Sequence, residues 1–159
     1  MGHFDETICD CCVCPMQCVL EQLVGEENIR IFALNGFTEE GTLTGVDNFI
    51  ALLDAGGIVN KVPIHNICAV RFEGIFDFKL KPIRKSKSGE CSCIEDPITN
   101  LAKSMIGEET PIEAGSFSES NVTIKDVGEG IVIVSFLSGG VIFTAAISSC
   151  KIQNFGFFD

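Results

Sequence analysis

Between Asp96-Pro97 and Gly107, the apolar residues Ile98, Leu101, Ala102, Met105 and Ile106 recur at the three- and four-residue spacing of a one-faced helix. Asp96 suits a cap, Pro97 the first helical position and Gly107 the stop. A similar pattern runs from Pro15 to Gly25, with Val19, Leu20, Leu23 and Val24 predicted to face inward. Beyond that helix the pattern changes to short apolar segments parted by turn residues. Residues 29–34 read as a strand, Asn35-Gly36 favours a hairpin turn, and 41–53 reads as one long strand. Gly45 permits that strand to bend sharply. Ala55-Gly56-Gly57 then turns the chain into strands over 58–64 and 67–72. The expectation is a mainly β unit, a helix followed by five bent antiparallel strands, one more than the four segments the pattern marks.

The pattern occurs twice. Val24-Gly25-Glu26-Glu27 returns as Ile106-Gly107-Glu108-Glu109, and Cys68 with Cys150 and Gly74 with Gly156 keep that same spacing. Cys12-Val13-Cys14 returns as Cys91-Ser92-Cys93, and Gly56-Gly57 as Gly139-Gly140. The chain therefore divides into a cysteine-rich arm (1–11), a first unit (12–78), a basic linker (79–90) and a second unit (91–159). The linker carries five of the eleven basic residues and no acidic one before its last position. It reads as a solvated connector, or more sharply as a contact for an acidic neighbouring subunit.

Composition narrows the function. With 46% hydrophobic and 21% charged residues, the 159-residue chain can bury a core. A formal charge of −11 argues against a broad electrostatic grip on nucleic acid or anionic lipid. No apolar run has the length of a membrane-spanning helix, and no basic-then-apolar secretory signal opens the sequence. A soluble protein made in the cytoplasm is expected, with no membrane partner.

Nine cysteines are the most unusual feature, and Cys9, Cys11, Cys12, Cys14 and Cys18 crowd into ten residues. Three readings compete: disulfide cross-links that also involve Cys91 and Cys93, a zinc site at the two-residue spacings, or idle reduced thiols. Neighbouring cysteines project in different directions, which suits links to several partners better than one closed loop. No second pair at zinc-ribbon spacing follows, so neither metal nor cofactor is expected. An enzyme is not expected either. Only His3 and His65 could serve acid–base roles near neutral pH, and no nucleophile elbow or phosphate-binding loop occurs. Most phenylalanines, among them Phe32, Phe49, Phe72, Phe136 and Phe143, fall in strands and suit cores. Phe155, Phe157 and Phe158, with Phe76 and Phe78, look like apolar edges in want of a partner.

Three stretches of the first unit resemble the Sm-like fold, most closely its Hfq branch of bacterial RNA chaperones. They are Ile29-Arg30-Ile31-Phe32-Ala33-Leu34-Asn35-Gly36, Gly41-Thr42-Leu43-Thr44-Gly45-Val46-Asp47-Asn48-Phe49-Ile50-Ala51-Leu52-Leu53 and Ile64-His65-Asn66-Ile67-Cys68-Ala69-Val70. The second unit keeps the helix signature Asp96-Pro97-Ile98-Thr99-Asn100 with degenerate strand motifs. The resemblance implies two tandem small barrels and rings closed by edge-strand pairing, three chains making a six-unit ring. It also implies that Phe49 and His65 are remnants of an RNA-binding pore. At the family's Tyr-Lys-His motif this chain reads Pro63-Ile64-His65, without the cation, and Ala145-Ala146-Ile147 aligns there in the second unit. RNA is accordingly not the expected partner; an Hfq-like RNA-binding regulator is the alternative. The expected function is structural: rings that stack or cross-link through cysteines into a fibre or layer, with self as the main partner. The acidic, cysteine-rich, Trp-free composition is similar to that of bacterial spore coat and exosporium proteins. That similarity implies other spore-surface proteins as partners and a spore-surface location after mother-cell lysis.

Overall fold

The computed structural model describes residues 13–75 and 96–155. The amino-terminal arm, the linker, Cys91, Cys93 and the final phenylalanines lie outside the described residues. Among the described residues the protein is mainly β: two α-helices and ten strands, the strands joined in one antiparallel sheet that does not close. Helix α1 (Val13–Gln22) precedes β1 (Ile29–Ala33), β2 (Thr38–Asp47), β3 (Ile50–Ala55), β4 (Ile58–Pro63) and β5 (Ile67–Glu73). Helix α2 (Asp96–Lys103) precedes β6 (Glu109–Ala114), β7 (Phe117–Gly128), β8 (Ile131–Ser138), β9 (Val141–Ser148) and β10 (Asn154–Phe155). Strand order across the sheet is β10-β6-β7-β8-β9-β5-β1-β2-β3-β4. Each half thus contributes its strands in the same order, fifth-first-second-third-fourth.

Local chemistry repeats with the topology. The Gly25 N–H donates to Leu43 O and the Gly107 N–H to Ile124 O, both at 2.7 Å. The Ile64 N–H donates to Phe49 O and the Ser149 N–H to Gly130 O. The first pair ties the end of each helix to its half's second strand. The second ties the short 3-10 turn after each fourth strand to the hairpin between the second and third strands.

Three sequence expectations need correction. The stretch 41–53 is two strands, because the chain reverses at Asn48 and Phe49, both in the left-handed region at φ 52° and 62°. Asn tolerates that region, but Phe rarely enters it. Here the Phe49 carbonyl accepts the Ile64 N–H at 2.9 Å while its ring packs against the first core. Next, Val24 does not face inward: it is exposed, as are Leu101 and Ile106 in and just after the second helix. Finally, Cys68 and Cys150 are not equivalent. The β8–β9 hairpin extends two cross-strand pairs beyond β3–β4, since Ile50 pairs Pro63 and Ile131 pairs Ser148, yet the turns follow at Ala55↔Ile58 and Ser138↔Val141. Everything after the hairpin shifts by four positions. Cys150, in the 3-10 turn Ser149–Lys151, therefore matches His65 in the turn Ile64–Asn66, and Ser148-Ser149-Cys150 matches Pro63-Ile64-His65.

Two apolar clusters hold the sheet. In the first, Met16, Val19, Leu20 and Leu23 from α1 and the turn after it join Ile29, Ile31, Leu43 and Leu53. Ile131, Ile133 and Ala146 of the second half belong to it as well. The second gathers Ala102, Ile112, Phe117, Ile124 and Val134, and takes Cys68 and Ala69 from the first half. Each cluster crosses the boundary between halves, so neither half buries its apolar surface alone.

Candidate functional site: the sheet edges and the internal seam

The halves meet where β5 pairs antiparallel with β9, Ala69 opposite Ile147 and Glu73 opposite Phe143. The fifth strand of one half is thereby joined to the fourth strand of the other. At one end of the seam the Gly74 N–H donates to Ile142 O at 2.7 Å, and the Thr144 hydroxyl donates to Gly74 O at 2.8 Å. An aromatic series crosses it: Phe32 meets Phe117 edge-to-face at 5.2 Å, Phe117 meets Phe136 at 5.8 Å, and Phe136 stacks on Phe143 at 5.6 Å. Offset and edge-to-face pairs of this kind add stability beyond their buried area.

Arg71 of β5 locks this series. Its guanidinium lies 4.1 Å from the Phe143 ring centroid and 5.9 Å from that of Phe32, and it pairs with Glu40 at 3.5 Å. Arg30 pairs with the same carboxylate at 3.3 Å. Burial, and then the nearby Arg30 charge, pull Arg71 below its ordinary range, while Glu40 and Glu119 oppose the shift. Burial likewise pushes the Glu119 carboxyl up, against the pull of Arg71.

The pairing leaves two free edges among the described residues, β4 and β10. They are unlike: one is a fourth strand, the other a fifth, the same two kinds that meet inside the chain. Ile58 and Val59 of β4 are 71% and 47% exposed, a combination that unpartnered strands usually avoid. Among the described residues β10 pairs with β6 alone, Asn154 opposite Glu113 and Phe155 opposite Ile112.

The residues expected to carry function fall unevenly on this frame. Cys9, Cys11, Cys12, Cys91 and Cys93 are outside the described residues. Cys18 is a half-buried free thiol on α1, 3.8 Å from the Gln22 amide, while Cys14 and Cys150 are each disulfide-bonded. Cys68 is a buried free thiol that burial pushes above its ordinary range. His65 is exposed in its 3-10 turn, and Phe49 sits half-buried at the β2–β3 reversal. Among the described residues no three His, Cys, Asp or Glu side chains gather as a metal site would need. No family model matches this chain, and neither does any curated protein or solved structure. Sequence reading missed Arg71, Glu119 and the protruding hairpin; the one signal for Arg71 was a lone cation in the apolar run 67–72.

Proposed function

We propose that this is a structural, self-assembling protein whose two Sm-like halves pair edge to edge, copy after copy, into rings that cysteines then link into a fibre or layer. One observation carries the reading: the two free edges are of the kinds already joined at β5–β9. The same pairing repeated between copies sets β10 of one beside β4 of the next. Asn154 and Phe155 match Ala69 and Val70, since they face Glu113 and Ile112 as those face Phe32 and Ile31. Val62 and Lys61 match Ile147 and Ala146 through the hairpin bases. Asn154 would then lie opposite Val62, and Phe155 opposite Lys61. Head-to-tail contacts of this type close if the rotation allows and otherwise run on as filaments. Placement on a spore surface belongs to this reading through composition alone.

Light scattering on a size-exclusion column, under reducing conditions, tests the assembly, with negative-stain imaging of the same fractions. Multiples of the chain, seen as rings or filaments, are the expected result. A single chain at every concentration overturns it.

A further inference from the structure

Resting on that head-to-tail reading, we infer that helix α2 of one copy seats on the outer face of β3 and β4 of the next, and that this helix-to-sheet contact drives assembly alongside the edge pairing. Inside the chain, α1 does not stay on its own half: it packs against β9 across the seam. Met16, Val19 and Leu20 share a cluster with Ile131, Ile133 and Ala146. The helices correspond residue for residue. The Leu23 N–H donates to Leu20 O as the Met105 N–H does to Ala102 O, and each is followed two residues later by the glycine bonded to the second strand. Val19 then matches Leu101, and Leu20 matches Ala102.

Burial at matched positions shows what is missing. Leu20 and Ala102 are both fully buried. Val19 is 1% exposed but Leu101 is 42% exposed. On the sheet side, Ile131, Ile133 and Ala146 are buried, whereas their counterparts Ile50 and Leu52 are only half-buried and Lys61 is exposed. The residues that lack cover are those whose counterparts find it across the seam. Two incomplete faces on one molecule, each the complement of the other, identify the occupant as a second copy. Lys61 in place of Ala146 fits such a seat, since its stem can lie under the helix while the ammonium reaches water.

Leu101→Glu and Leu52→Lys test this, measured as the concentration at the midpoint of assembly under reducing conditions. Both side chains are accessible in the single chain, and circular dichroism with thermal melting confirms that each variant keeps its fold. Each substitution alone is expected to raise the midpoint at least tenfold. The double variant sets a carboxylate against an ammonium at every junction between copies, and it is expected to recover most of that loss; Leu101→Met should match the wild type. If the wild type assembles and Leu101→Glu assembles at the same midpoint, the helix seat is wrong while edge pairing stands. A double variant no better than the single ones overturns the assignment of Leu52 as the partner. A wild type that never assembles removes both readings at once.

Discussion

Arg71, Glu119 and the rings of Phe32 and Phe143 show how the seam balances burial against charge. Glu119 binds its proton more tightly folded than unfolded, because burial outweighs the pull of Arg71. A carboxyl shifted upward costs the fold nothing below its ordinary value of 4.5; the cost grows from there to the raised value and is complete above it. Glu119→Gln should therefore gain stability relative to the wild type as pH rises from acidic to neutral, as melting temperatures recorded along that range would reveal. An unchanged difference across the range would show the carboxyl to be solvated. Gly115 makes a second seam-specific case. It sits at φ +60°, and a Cβ there would collide with the Cys68 sulfur. Gly115→Ala should cost about 2–3 kcal/mol. In urea titrations Cys68→Ala should restore part of that, leaving the roughly 1 kcal/mol of left-handed backbone strain.

Elements were legible where their pattern was local. Both helices, the Asn35-Gly36 turn and the strands on either side of the double-glycine turn follow from spacing and turn residues, and the structure places them within a few residues of expectation. The reversal at Asn48-Phe49 was not legible, because its second residue is a bulky aromatic held left-handed by a bond from Ile64, beyond the whole β3–β4 hairpin. The repeat was legible in its first strands and misread in its last, since the longer β8–β9 hairpin displaces every later position while Cys68 with Cys150 and Gly74 with Gly156 happen to keep the spacing of the helix-ending glycines. Inward helix faces were over-assigned for the same sort of reason: periodicity puts Leu101 on an apolar stripe without showing that anything covers it, and Ile106 lies beyond the end of α2. Where strand meets strand most tightly, the backbone itself decides. A Cβ on Gly41 would run into the Asp54 carbonyl of β3. Gly41→Ala should lower stability by about 3 kcal/mol or more, read from the urea midpoint, as no rotamer change can relieve a backbone clash.

For the whole molecule, the proposed assembly separates two levels of association. Edge pairing and the helix seat would depend on backbone bonds and apolar contact; links between rings would depend on disulfides. Reductant should accordingly dissolve fibres or layers into discrete rings without releasing single chains, a distinction visible by negative stain and on paired reducing and non-reducing gels. Release of single chains by reductant would place disulfides in the ring contact itself or show that those of Cys14 and Cys150 hold the fold that the ring needs. Favourable bridges contribute ~2–4 kcal/mol each, so the linked material should also melt higher than the reduced rings.

The unlike character of β4 and β10 reaches further than any one contact. Every copy carries one border of each kind and, in the proposed pairing, would join in a single direction, so an assembly built this way has polarity and, when closed, always an even number of halves. A copy damaged at β4 alone, for example by Val59→Asp, keeps a sound β10 and can still attach to a healthy neighbour, after which nothing can follow it. Mixed into wild-type protein as a small fraction, such a copy would act as a terminator, shortening the products far out of proportion to its share.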